Sequence, residues 1–335
     1  MSIPAFIPKN FSFNDPIPFE CDATYYSLIE LIKYGVQALV LFMNIVLNCF
    51  VLRATFVQRK KKELADNSFF IIYAADLIVG IYMCLSELFI GRVFKYIIVL
   101  CPIWSPYYFT PSLFLKIYFI FMHYFQGFKT VSQICFALNR MTAVLFPMTH
   151  AMLWKRIIYY VLLALFVLPL GIVWNVMISR VYANPSQGGF SANYIRNISW
   201  ASLSLFHSIY SSISLILVLI LTSITLYNLL VLKIRLKTAE TSITVSTLFI
   251  STEFIFIVFL NVYFAFFSSP ISSLRPFMLK VLDFTYDFLN FSTTIIFVVF
   301  NPQIRAMLIS KKTSNNERLG NGTASMTPVW AIPPS

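Results

Sequence analysis

The chain has 335 residues, 59% of them hydrophobic and only 11% charged, with a formal net charge of +12, against roughly 25% charged residues in an ordinary globular domain. A soluble fold of this length cannot bury that much apolar surface, so lipid must be part of its solvent. The basic residues sit between apolar runs, which points to membrane orientation and not to a nucleic-acid partner.

Residues 1–27 are polar, aromatic and proline-containing, with no basic stretch leading into an apolar one, and 1–30 are expected to form an extracellular N-terminal segment. No cleavable signal peptide is expected, so the first helix must act as the insertion signal. Seven spans are expected at about 31–52, 68–90, 113–138, 157–178, 204–231, 243–267 and 278–300. The predicted fold is an all-α seven-transmembrane helix bundle over 31–300, with a polar tail at 301–335. In that tail Ile304, Met307 and Leu308 lie at helical spacing opposite Arg305, Lys311 and Lys312, the pattern of a short helix on the membrane surface.

The gaps 53–66, 139–156 and 233–241 and the tail carry fifteen Lys or Arg, against six in the alternate segments. The bias places the N-terminus outside and the tail in the cytosol. The sequons at Asn10 and Asn197 both fall in segments assigned outside, as N-glycosylation requires. Cys49, Cys84 and Cys135 lie within spans and read as small packing residues. Cys21 and Cys101 lie in outside segments, where a disulfide between them is expected, with two free thiols as the alternative. The outer segment 91–111, with Trp104, Tyr107 and Tyr108, suits an interfacial aromatic belt, and 179–203 an outer loop over a cavity.

In 131–150, VSQICFALNRMTAVLFPMTH, an apolar helix delivers Asn139 and Arg140 near its end, continues through Phe146 and stops at Pro147. A charge at mid-bilayer costs at least ~2.5–3.5 kcal/mol, so Arg140 should mark a membrane face. Pro147 supplies no N–H and disfavours helix at the residue before it, which sets a corner there.

The run 138–150, LNRMTAVLFPMTH, with Trp154-Lys155 just beyond it, resembles the nematode serpentine receptor class gamma chemoreceptors. Pro18-Phe19-Glu20-Cys21-Asp22 and Glu30-Leu31-Ile32-Lys33-Tyr34-Gly35 also resemble that family, and the likeness covers about 15–312. It implies a multi-pass receptor in the plasma membrane of sensory cells that detects a small-molecule chemical and signals through a heterotrimeric G protein. A looser similarity to rhodopsin-like receptors sets Asn139-Arg140-Met141 at their acid-Arg-Tyr position, Asp76 at their second-helix acid and Asn301-Pro302 at the start of their seventh-helix motif. The departures are an amide at Asn139, Arg305 where a tyrosine is expected, no proline in the sixth span and no cysteine in 179–203. That resemblance assigns coupling to Asn139, Arg140 and Pro147, and sets Lys129 where the family lines a sodium pocket.

Asp76 and Lys129 lie at matching depths at ~1.5 Å per residue, so an internal ion pair is expected, with separate polar neighbours as the alternative. For Arg140 the alternative to coupling is a snorkelling anchor. A ligand site is expected in the outer half of the bundle, among His123, Tyr124, His207, Tyr210, Ser211, Asn261, Tyr263, Asp283, Tyr286 and Asp287. Glu253, deeper in the sixth span, also calls for a partner. No enzyme is expected: zinc spacing, phosphate-cradling glycine loops and paired histidines are missing, and with them any catalytic residue, metal or cofactor. The rival class is a transporter or channel, against which the odd span count and lack of repeated halves speak.

Overall fold

The computed structural model describes residues 15–22, 24–59, 68–186, 188–231, 238–267 and 274–300. Asn10, Asn301, Pro302 and the proposed surface helix of the tail lie outside the described residues. The elements are α1 Ser27–Arg59, α2 Ser68–Ser86, α3 Arg92–Tyr96, α4 Cys101–Trp104, α5 Leu113–Leu145, α6 His150–Val167 and α7 Leu170–Met177, then the strands β1 Arg180–Ser186 and β2 Gly189–Ile195, then α8 Leu203–Val231, α9 Thr238–Val262 and α10 Leu274–Phe300.

These make a seven-helix bundle in which α2 with α3, and α6 with α7, each form one column. Four stretches, Ser27–Phe56, Phe69–Tyr96, His150–Met177 and Leu203–Leu229, are long and apolar enough to cross a membrane by themselves; α5 qualifies together with the bent segment before it. The helices overrun the predicted spans. At ~1.5 Å per residue the 33 residues of α1 reach well past a ~30 Å hydrocarbon core. Hydropathy marks where apolar sequence begins, whereas a helix continues through polar residues as long as its backbone bonds close. Thus α6 starts at His150 and contains Lys155 and Arg156, and α9 starts at Thr238.

Two interruptions shape the bundle. Between α2 and α3, Glu87–Gly91 forms a π turn. Its extra residue rotates α3 by roughly 100° relative to an unbroken helix, and the second column runs to Tyr96 instead of ending near 90. Between α6 and α7, Pro169 breaks the column, and Gly127 of α5 lies against it: a side-chain carbon there would stand 2.5 Å from Ile172 Cδ1 and 3.3 Å from Pro169 Cβ. Glycine allows that close approach. α5 is the central column, packing on α2, α6, α7, α8 and β1.

Not everything is helical. The expected loop 179–203 contains an antiparallel hairpin, from Arg180 opposite Ile195 to Ser186 opposite Gly189. Gly188 turns it at φ +85°, a conformation glycine adopts without strain. A side chain on Gly189 would run into the Phe94 carbonyl, so β2 lies directly against α3. Phe190, 1% exposed, stacks on Phe94 with centroids 4.7 Å apart and meets Tyr108 and Phe19 at 5.4 Å each. Cys21 and Cys101 are joined, with Cα atoms 6.1 Å apart, and Ile17 N donates to the Phe109 carbonyl at 2.8 Å. The N-terminal segment, hairpin and aromatic cluster thus seal one end of the bundle over α5 and α7. A second core, with Tyr73, Phe128, Phe136, Trp154 and Phe254, fills the interior among α2, α5, α6 and α9. Of the cysteines read as packing residues, Cys84 and Cys135 are buried, but Cys49 is exposed on the bundle's outer surface.

Candidate functional site

Polar side chains in an apolar bundle persist where they find one another, and here they gather at three levels. Far from the hairpin, α5 carries Asn139 and Arg140 inward: they are 4% and 8% exposed. The Arg140 guanidinium lies over the Phe69 ring, 5.8 Å from its centroid, a cation–π geometry. Arg140 therefore does not reach out to solvent, because it sits on the α2-facing side of α5. α5 ends at Leu145, and the carbonyl of Phe146 takes the N–H groups of Thr149 and His150 at 3.1 and 2.8 Å. That turn leaves Pro147 and Met148 exposed. The corner is pinned by Trp154, 1% exposed, whose indole N–H donates to Thr142 Oγ1 at 2.9 Å. Replacing Trp154 by Phe keeps most of the packing and loses the hydrogen bond, so a destabilisation of about 1–2 kcal/mol is expected in thermal melts of purified protein.

At the middle level Lys129 Nζ donates to Asp76 Oδ2 at 2.7 Å and Ser132 Oγ donates to Asp76 Oδ1 at 2.8 Å. Both charged side chains are buried, 7% and 1% exposed. Gly80 makes room for the ammonium, since a side-chain carbon there would lie 3.2 Å from Lys129 Nζ. Beside this pair the polar chain continues from Thr294 Oγ1 to Asn48 Oδ1 at 2.6 Å, from Asn48 Nδ2 to Asn44 Oδ1 at 2.7 Å and from Asn44 Nδ2 to Cys84 Sγ at 3.2 Å. Columns one, two, three and seven are thereby tied through their centre. Glu253 of α9 takes a 2.5 Å hydrogen bond from Ser292 of α10.

At the hairpin end the residues expected to share one cavity separate into two groups and some outliers. Asp283 and Asp287 of α10 face the second column: Arg92 Nη2 lies 2.7 Å from Asp287 Oδ2, and Lys95 Nζ lies 2.6 Å from Asp283 Oδ2. Arg92 also meets Glu87 at 3.0 Å, Asp283 at 3.9 Å and Gln37 Oε1 at 3.1 Å. Tyr118 donates to Glu87 at 3.3 Å, and Gln37 Nε2 to the Tyr96 hydroxyl at 3.2 Å. The second group lies among α5, α8, α9 and α10. The rings of His123 and His207 are 5.3 Å apart, and Asn261 Nδ2 reaches Ser211 Oγ at 3.5 Å and the Tyr286 hydroxyl at 3.4 Å. Tyr124 departs from expectation by turning to the fourth column, donating to the Phe166 carbonyl at 2.7 Å, in the turn that Pro169 interrupts. Tyr210 packs against Gly171, and Tyr263 lies in the π turn Tyr263–Phe267 with its ring on Phe264. Asn197, just past β2, is exposed.

Arg92, Lys95, Glu87 and Gln37 were absent from the sequence-based site. Their signal was present: bases three apart at the end of the second column and acids four apart at the start of the seventh each share a helix face. Treating 91–111 as a loop hid it. Arg92 and Gln37 of this group line a partly open cavity of about 210 Å³ between the first, second and seventh columns, together with Lys33, Tyr96, Lys280, Asp283, Phe284 and Asp287.

A family model described as Srg family chemoreceptor matches residues 34–308. Serpentine receptor class gamma-13 of Caenorhabditis elegans is 53% identical over 334 residues, covering 99% of each chain. Serpentine receptor class gamma-10 of the same organism is 39% identical, covering 92% of this chain and 95% of its own, and class gamma-20 is 38% identical, covering 91% and 88%.

Proposed function

The chain belongs to the Srg chemoreceptor family, and on that footing we propose that this multi-pass membrane protein is a G-protein-coupled receptor for a small-molecule chemical. It works in the plasma membrane of sensory cells in chemical perception and chemotaxis. The hairpin end faces outward, with Asn197 available to a glycan and Cys21–Cys101 in an oxidising compartment; the Arg140 end faces the cytosol and the heterotrimeric G protein.

The observation that carries this reading is the burial of Arg140 at the end opposite the charged cavity, beside an exposed corner at Pro147 and Met148. An arginine held inside a helix end over an aromatic ring meets an outside partner only when that end opens. A snorkelling anchor would instead keep its guanidinium in water. The Asp76–Lys129 pair stands between the two ends and holds the columns whose rearrangement would link them. The basic segments on the same side suit anionic lipid as well as a G protein.

Cells expressing the chain and screened by calcium or second-messenger readout with small chemicals should respond. Arg140→Ala should abolish the response while leaving surface expression at the parental level. An undiminished response in that variant overturns the coupling role, and ligand-evoked current without any second messenger would favour the channel reading.

A further inference from the structure

The charged cavity points to a chemical class of ligand. It rests on the reading of the chain as a ligand receptor, but its own logic is local. Lys33, Arg92, Lys280, Asp283 and Asp287 line the cavity, and Glu30, Glu87 and Lys95 stand behind them as the ion-pair partners of Lys33, Arg92 and Asp283. Positive and negative groups balance, and Lys33 pairs with Glu30 at 2.5 Å just as Arg92 and Lys95 pair with their carboxylates. Lys280 differs: among the described residues no carboxylate comes within ion-pair distance of it. Three residues further along the same helix, Asp283 keeps 38% of its side chain exposed. One face of α10 therefore offers the cavity a cation and an anion side by side, with Cβ atoms roughly 5–6 Å apart.

We infer that this cavity binds a small zwitterion of the amino-acid type, its carboxylate on Lys280 and Lys33 and its ammonium on Asp283. An apolar odorant would strip water from these charges and return no partner. A lone anion or cation would unbalance a partly enclosed cluster that is already neutral, and that imbalance costs more the less water reaches it. A zwitterion keeps the sum at zero and offers each half a partner. Asp283 has lone pairs left for an ammonium beside Lys95. Gln37 and the Tyr96 hydroxyl supply uncharged hydrogen-bonding groups, and the exposed Phe284 ring flanks an aliphatic segment. At ~30 Å³ per water the cavity volume of about 210 Å³ equals roughly seven waters, room for a ligand of amino-acid size.

The hairpin and the aromatic cluster around Phe190 cover α5, α7 and the Phe94 side of α3, and none of their residues lines this cavity. An occupant there would also stand against the Arg92–Asp287 and Lys95–Asp283 bridges that tie the second column to the seventh.

The test is direct binding to the purified full-length receptor without G protein, by ligand-induced thermal shift and calorimetry. The probes are glycine, β-alanine and γ-aminobutyrate, each with its N-acetyl derivative, an anion, and its methyl ester, a cation. At least one zwitterion should bind, and its two singly charged derivatives at least roughly tenfold more weakly, equivalent to ~1.4 kcal/mol. Lys280→Gln removes no internal ion pair, so the apo protein should melt as the parent does while zwitterion affinity falls roughly tenfold; Asp283→Asn should weaken binding as well. Absence of binding by the whole series, equal affinity of the singly charged derivatives, or unchanged affinity in Lys280→Gln overturns the assignment. Binding with no cellular response would instead count against the G-protein reading alone, and a cellular response to some other chemical with none of these probes binding would count against the cavity alone.

Discussion

Lys129→Met is expected to destabilise the bundle by about 3–5 kcal/mol, because it leaves the Asp76 carboxylate buried with Ser132 alone. Asp76 is 1% exposed and Lys129 7%, so water cannot take over the lost interaction. The pair as a whole is a different matter. Taking two charges out of water costs several kcal/mol for each ion, and their attraction roughly offsets that cost. The double variant Asp76→Asn with Lys129→Met should therefore recover most of the lost stability. Thermal melts and surface expression of both single variants and the double variant measure the coupling. A double variant no more stable than Lys129→Met would show that the lysine contributes packing and not charge.

Arg92→Met should have the next largest effect, about 3 kcal/mol. One guanidinium, 5% exposed, serves three carboxylates and an amide through separate nitrogens: Nε on Glu87, Nη2 on Asp287, Nη1 on Gln37 and, further off, on Asp283. Removing it puts Glu87, Asp283 and Asp287 together without their shared cation, and like charges repel more strongly where water is scarce. The figure belongs at the low end of the range for breaking a buried pair, since Glu87 and Asp283 keep 25% and 38% exposure. Arg92→Lys should recover only part, because an ammonium cannot reach acceptors on three sides of a planar fork. Thermal melts of Arg92→Met and Arg92→Lys check both statements, and a lysine variant as stable as the parent would reduce Arg92 to a simple point charge.

The two cases differ in how far they could be foreseen. Asp76 and Lys129 each stand inside an apolar run, and counting residues from the helix ends brings them to one depth, so the sequence posed the pair directly. Arg92 and Lys95 stand where hydropathy falls away, and that fall reads as a loop. Only the π turn at Glu87–Gly91 carries the helix onward and rotates both bases toward α10. Gly91 belongs to the same device: a side-chain carbon there would lie 2.5 Å from the Tyr118 hydroxyl and 2.7 Å from Glu87 Oε2. The hairpin escaped for a related reason. Arg180–Ile195 has the turn glycines of a hairpin, but its strands gain their burial from Phe94, Tyr108 and Phe19, residues distant in sequence.

Residue order was enough to establish that the chain lives in lipid, how many apolar columns it has, and that Asp76 and Lys129 stand inside two of them at one depth. Those are sums over neighbours along one helix, and rise per residue converts them into position. Packing between columns set which way each one turns about its axis, hence that Arg140 faces Phe69, that Tyr124 leaves the expected cavity, and that two acids meet two bases across the bundle. Rotation costs a lone helix in lipid almost nothing; it is set by the close approaches of other columns at Gly80, Gly91 and Gly127, and by partners that no local window contains.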